Sequence, residues 1–239
     1  MAAVLFDLDD TLHDDTATYR RAAERVAVEI GAERGLSAER LLAAYIEHVE
    51  AFWKNLVAED LAKSLVGVRA AMWRAALEEA GDSPDGDLAT RAADTYNRYR
   101  KEHLRLWPGA LELLSYLREH GIRLGLLTNG FAETHREKIV LLQLEDAFDE
   151  VFIADEMGML KPDPRLFRAA CERLGAPPFA AAMVGDRYNR DVRGAHDIGM
   201  FTVWLNVRRE SVPEGQPPPD AIVHTLAEVR GALAPALKR

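Results

Sequence analysis

Six short β-rich runs set the frame of this chain: AVLFD (3–7), IRLGLLT (122–128), EVFIAD (150–155), AAMVGD (181–186), FTVWLN (201–206) and AIVH (221–224). They are continuously apolar rather than alternating, the pattern of strands covered on both faces. Most are separated by helical patterns. After WPG (107–109), Leu111, Leu114 and Leu117 keep helical spacing until Gly121, and Leu166, Ala169, Ala170 and Leu174 do the same before Gly175. Strands alternating with helices imply an α/β fold with a doubly wound parallel sheet.

The regularity fails once. From about residue 15 to residue 106 the sequence holds helical patterns and no strand. Leu42, Tyr45, Ile46, Val49, Phe52, Trp53 and Leu56 form one stripe; Leu65, Val68, Met72 and Ala76 a second; Leu88, Ala92, Tyr96 and Tyr99 a third. GDSPDG (81–86) is a turn between the last two. The expected division is a core of residues 1–14 and 107–239 carrying an inserted helical domain, 15–106. An insertion after the first strand would hang over the carboxyl ends of the strands, where open α/β sheets place their ligands. Another stretch, VPEGQPPPD (212–220), reads as a surface loop before a last strand and helix.

Composition narrows the partners. Thirty basic against 39 acidic residues give a net charge of −9, which argues against a nucleic acid polymer but not against a small phosphorylated molecule in a local pocket. Cys171 is the single cysteine, so neither a disulfide framework nor a thiolate metal site is expected, and a reduced, cytoplasmic setting fits. The N-terminus lacks the basic start of a signal peptide, and Asp7 interrupts its apolar run at once. No stretch approaches the roughly 18 apolar residues of a membrane span, so no membrane partner is expected. A monomer or homodimer is anticipated.

Chemistry gathers where the strands end. Asp7 closes the first, followed by Asp9 and Thr11; Thr128 and Asn129 close the second; Lys161 stands in KPDP past the third; GDRYNRD closes the fourth with Asp186 and Asp191. In a parallel sheet these ends share one edge, so distant residues converge there. Crowded carboxylates resist ionising together, and a cation answers that better than solvation or a shared proton. Hard oxygen donors suit Mg²⁺, which uses one or two carboxylates together with substrate phosphate. Asp7 is a candidate ligand and nucleophile. Lys161 offers a point charge to Asp7 and to phosphoryl oxygens, and Thr128 with nearby backbone N–H groups can hold another.

With these residues in view, the sequence resembles the haloacid dehalogenase-like (HAD) hydrolase superfamily, and within it the subfamily I phosphatases with a helical, C1-type cap on a Rossmann-like core. DLDDT matches the first motif, D-x-D-x-T; Thr128 matches the second, Lys161 the third and GDRYNRD the fourth, in the family's order. The resemblance implies that Asp7 attacks phosphorus, that Asp9 protonates the leaving oxygen and then activates water, and that Mg²⁺ is held by Asp7, Asp186 and the backbone carbonyl of Asp9. It also implies phosphate contacts from Thr128, Asn129 and Lys161, with Thr11 and Asp191 in support. Two positions depart from the common form. Asp10 stands where glycine is frequent, and Arg187 follows Asp186 where a small polar residue is usual.

The resemblance implies a Mg²⁺-dependent phosphatase acting on a small phosphomonoester through an aspartyl-phosphate. WPGALELLSYLREHGIRLGLLTNGF (107–131) looks most like the nucleotide-phosphatase branch, so nucleoside monophosphates stand beside phosphoglycolate and sugar phosphates as candidate substrates. A phosphomutase would need the same groups. A haloacid dehalogenase would lack the acid at Asp9, and a receiver-type signalling module would carry its acceptor on a later strand without a cap. In the insertion, Tyr45, Trp53, Trp73, Tyr96 and Tyr99 could stack on a base or sugar, but their helical spacing favours core. His48 and His103 read as surface residues. Arg20 and Arg21, expected to open the first helix of the insertion near the strand-end loop, could touch a substrate, though a solvated face is the better reading for at least one of the two.

Overall fold

The computed structural model describes residues 1–84 and 87–237, so the end of the 81–86 turn, Asp85 and Gly86, lies outside the described residues. The chain begins with β1 (Ala3–Phe6) and then enters four helices, α1 (Asp15–Arg34), α2 (Ala38–Lys54), α3 (Leu65–Glu79) and α4 (Leu88–His103). It continues through α5 (Ala110–Glu119), β2 (Arg123–Thr128), α6 (Ala132–Leu141), β3 (Glu150–Ile153), α7 (Ala154–Met157) and α8 (Pro164–Arg173). The last elements are β4 (Ala181–Gly185), α9 (Arg193–His196), β5 (Phe201–Leu205), β6 (Ala221–Val223) and α10 (Leu226–Leu237). Two compact units result: Met1–Asp14 with the chain from Arg105 onward, and Asp15–Leu104.

In the first unit all six expected runs are strands, in one parallel sheet ordered β3-β2-β1-β4-β5-β6. Every residue of β1 and β4 is buried, which is why their sequences do not alternate. β1 lies between β2 and β4, with Phe6 level with Leu126 on one side and Val184 on the other. The Asp7 N–H donates to the Val184 carbonyl at 2.9 Å, carrying the pairing one residue past the strand. The strand order reverses across β1 and β4, the topological switch where such sheets hold ligands.

Around β1 the first unit also closes the gap that the insertion opens. The Trp107 N–H donates to the Leu12 carbonyl at 2.8 Å, and His13 bridges to Leu106. Chain departure and return are thus tied together by backbone hydrogen bonds.

The second unit is helical. α1 packs with α2 and α4, and α3 with the same two. Serines cap two starts: Ser37 accepts from the Arg40 N–H and Ser64 from the Gly67 N–H. The aromatic residues in the stripes are core, as their spacing suggests. Tyr45 and Trp73, both fully buried, stack at 3.7 Å with 14° between planes. Tyr96 meets both edge-on, at 5.3 and 6.3 Å. Tyr99 is buried too, while Trp53 is half-buried against the same cluster. One expectation is corrected: α1 starts at Asp15, so Arg20 and Arg21 sit in its second turn rather than opening it. Both are exposed, and Arg20 pairs with Glu50.

Because Trp73 fills the centre of this cluster, Trp73→Ala is expected to cost about 3–5 kcal/mol. The check is the shift of the urea unfolding midpoint followed by far-UV circular dichroism.

Candidate active site

The carboxyl edge of β2, β1 and β4 brings together Thr128, Asp7 and Asp186, and the segment after β3 adds Lys161. Lys161 is 3% exposed, and its ammonium lies 2.7 Å from Asp7 Oδ1 and 2.7 Å from Asp191 Oδ1. Burial alone would push that ammonium down, but Asp191 and Asp7 hold it above its ordinary value. The segment carrying it is fixed twice. Asp163 caps α8 by accepting from the Arg165 N–H at 2.9 Å, with Pro164 in the first turn. Asn129 binds the Lys161 backbone reciprocally: its Oδ1 accepts from the Lys161 N–H at 2.8 Å, and its Nδ2 donates to the Lys161 carbonyl at 3.0 Å. Both ends of the Asn129 amide are therefore engaged in holding Lys161.

Asp191 reaches Lys161 from a tight π-type turn, Tyr188–Val192, which follows β4. Its second oxygen accepts from the Arg187 N–H at 2.9 Å. Gly185 makes this return possible: a Cβ there would lie 2.3 Å from the Asp191 carboxyl carbon.

Carboxylate oxygens of Asp7, Asp186 and Asp191 all lie within 4.8 Å of one another. Burial pushes Asp7 up to about 6, against the pull of Lys161. Burial, then Asp7 and Asp191, push Asp186 well above the usual carboxylate range, and Arg187 offsets only part of this. The cluster thus holds more negative charge than its ammonium balances, in hard oxygen donors, and a divalent cation fits it. Arg187 sits at the rim with Nε 3.1 Å from Asp186 Oδ2. Asp10, at φ 57°, turns its carboxylate to Arg208 at 2.9 Å and lies 4.0 Å from Arg187. The two departures from the common motifs therefore meet in one ion-pair chain.

Asp9 has different surroundings from Asp7. Lys138 Nζ donates to both its oxygens, at 2.6 and 2.7 Å, and His13 Nε2 lies 2.7 Å from Oδ1. His135 Nε2 stands 3.4 Å from Oδ2. Burial would raise this carboxyl, but Lys138, His13 and His135 bring it well below the ordinary range. None of these three partners is among the residues that the sequence singles out. Thr11 is fully buried, with its hydroxyl lacking a hydrogen-bond partner among the described residues, and Thr128 is 1% exposed at the end of β2. His48 and His103 are half-buried in the helical unit, where His48 pairs with Glu79 at 2.9 Å.

The edge therefore sets a buried carboxylate against an ammonium, beside an acidic cluster fit for a cation and a second carboxylate held by separate donors. This inventory suits nucleophilic attack on an electrophile carrying anionic oxygens. The family model of haloacid dehalogenase-like hydrolases matches residues 1–199. The chain is 38% identical over 249 residues to a phosphoserine phosphatase of Thermus thermophilus, covering 96% of this chain and 98% of that one. It is 35% identical over 219 residues to a glyceraldehyde 3-phosphate phosphatase of Methanopyrus kandleri, covering 90% and 87%. Among solved structures, a HAD-hydrolase from Bacillus subtilis bound to magnesium superposes with a TM-score of 0.72 at 26% identity, covering 97% and 98%. A 2-haloacid dehalogenase from Pseudomonas syringae gives 0.66 at 29%, covering 98% and 99%. The chain belongs to the haloacid dehalogenase-like hydrolases.

Proposed function

We propose that this hydrolase is a phosphatase that cleaves a small phosphomonoester metabolite through an aspartyl-phosphate on Asp7, with Mg²⁺ as its ion. The observation that carries the reading is Lys161 bridging Asp7 and Asp191 at 2.7 Å each, beside the cluster of Asp7, Asp186 and Asp191. Lys161 takes Asp7 Oδ1, which leaves Oδ2 to attack phosphorus in line. As the new O–P bond forms, the ester P–O bond breaks and the leaving oxygen takes a proton from Asp9. Water then attacks the aspartyl-phosphate, gives its proton to Asp9, and releases phosphate with Asp7 restored. For the first half Asp9 must carry a proton, and for the second it must be ionised. The donors around it favour the second state.

Thr128 and Lys161 hold the phosphoryl oxygens, and Asn129 serves by fixing the Lys161 backbone. Asp7, Asp186 and the Asp9 carbonyl would hold the Mg²⁺ ion, with Asp191 supporting Lys161. When bound, the ion neutralises the cluster and the charge that develops on the phosphoryl oxygens. Selection of the leaving group is assigned to the helical unit. Relatives named for phosphoserine, glyceraldehyde 3-phosphate and N-acylneuraminate 9-phosphate favour a small phosphorylated metabolite and widen the choice beyond nucleoside monophosphates. Asp9, present here, supports a phosphatase over a dehalogenase.

Phosphate release from a panel of phosphoserine, triose and sugar phosphates, phosphoglycolate and nucleoside monophosphates tests the reading. Multiple turnover with Mg²⁺ that stops in EDTA is expected, and single turnover or Mg²⁺-independent release would reject it. Asp7→Asn should abolish turnover and the acid-stable trapping of ³²P on protein. Lys161→Ala should lose about 3–4 kcal/mol of transition-state stabilisation, read as a drop in kcat/KM; near-native kcat/KM would remove Lys161 from the chemistry.

The crowded cluster makes a further, thermodynamic prediction. A carboxyl raised to about 6 in the fold is favoured there while protonated, so its contribution is intact at acid pH and lost as pH rises through 6. In EDTA, the melting temperature should therefore fall across that range. Asp186→Asn, with one carboxylate fewer, should melt higher than the parent at pH 7.5 in EDTA and gain less from Mg²⁺.

A further inference from the structure

Nitrogens of three side chains from two separate segments surround Asp9, with His13 and Lys138 hydrogen-bonded to it and His135 3.4 Å away, a larger set than its motif accounts for. His13 comes from the turn after β1 and is 0% exposed; its backbone is pinned by bridges to Asp9 and Leu106. His135 and Lys138 come from α6, three residues apart and so on one face of the helix, and both are buried (2% and 3%). A lysine is seldom buried to this degree, because its ammonium loses hydration that only well-placed acceptors replace. Lys138 meets both oxygens of one carboxylate at 2.6 and 2.7 Å.

The site is also built around His135. Its Nδ1 lies 3.1 Å from the Phe131 carbonyl, one turn back, which directs Nε2 towards Asp9. Gly130 leaves the space for the ring: a Cβ at that position would stand 1.9 Å from His135 Cε1. The glycine that follows Asn129 thus serves a histidine on the next helix. Three features of one strand-to-helix connection, an absent side chain, an oriented ring and a buried ammonium, converge on a carboxylate 129 residues away from Lys138 in sequence.

We infer that Lys138, backed by His135, is a positioning residue for Asp9. Its paired contacts fix the plane of the carboxylate, so α6 and not the free rotation of Asp9 decides which oxygen faces the departing group. Positioning matters here because proton transfer requires hydrogen-bond geometry, and an error of about 1 Å can cost 10²-fold. The inference rests on the role given to Asp9 above and adds residues outside the four motifs.

A positioned acid matters for a poor leaving group and little for one that departs without a proton. The experiment therefore compares kcat/KM, which reports formation of the phosphoenzyme, for an alkyl phosphate and for p-nitrophenyl phosphate. Lys138→Met should lower kcat/KM about 10–100-fold on the alkyl ester, part of the roughly 10²–10⁴ that a positioned acid supplies, and leave the nitrophenyl ester nearly unchanged. Lys138→Arg, whose fork can still meet both oxygens, should restore most of the alkyl activity. Equal losses on both esters, or no loss on either, would overturn the inference. Asp9→Asn run alongside separates the two levels. If it discriminates between the esters while Lys138→Met does not, the positioning role fails and the role of Asp9 stands. If Asp9→Asn itself treats both esters alike, the role of Asp9 fails first. Should Lys138→Met not fold, Lys138→Gln carries the same comparison.

Discussion

The ammonium of Lys161 is the interaction on which the carboxyl edge of the sheet depends. It is buried, it touches Asp7 and Asp191 at 2.7 Å each, and it lies in the space that Asp186 also crowds. One ammonium against three carboxylates does not neutralise the cluster, even with the Arg187 guanidinium against Asp186. The fold carries this imbalance at a cost, since buried charge is favourable only when paired. It is tolerated because the surrounding sheet over-determines it: β1 and β4 are wholly buried, and Gly185 lets Asp191 fold back against their ends. Ionising all three carboxylates together would need more positive charge than Lys161 and Arg187 supply, and a cation at the edge would provide it.

Asp7 and Asp9, two residues apart, have opposite environments. Asp7 continues the β1 pairing, and burial, with smaller pushes from the neighbouring carboxylates, raises it to about 6 against the pull of Lys161. Asp9 comes after the chain has left the sheet and faces Lys138, His13 and His135, which lower it. Pairs of titratable groups driven apart in this way are the usual sign of divided roles in acid–base chemistry. The division here is made by where the strand stops: the last paired residue stays with the sheet edge, and the residue two further on is given to a helix.

Much of this was legible in the sequence because strand ends are. A fully buried parallel strand is an unbroken apolar run, so Asp7, Thr128 and Asp186 stand out as the first polar residues after each. Lys161 and Asp191 follow within the next segment. The helices of the insertion were visible where large residues mark a stripe, as in α2, but the start of α1 was misplaced. The buried face of α1 is mostly alanine, valine and threonine, too small a contrast for periodicity to date its first turn. Asn129 shows a different limit. Its position by Thr128 suggests a phosphate contact, and the sequence gives no sign that its amide also binds a backbone 32 residues further on. His135 and Lys138 were not legible at all, since polar residues at helical spacing look solvated until tertiary structure turns that face inward.

The backbone tie between Leu12 and Trp107, reinforced by the bridge from His13 to Leu106, has an evolutionary corollary. Joining the two ends of a long excursion costs entropy that grows only slowly with its length, and here hydrogen bonds of the sheet unit itself offset that cost. The excursion can then lengthen, shorten or be replaced without altering the register of β1 against its neighbours. Such a neck makes the helical insert a separable part, one whose length and sequence can change while the sheet edge keeps its geometry.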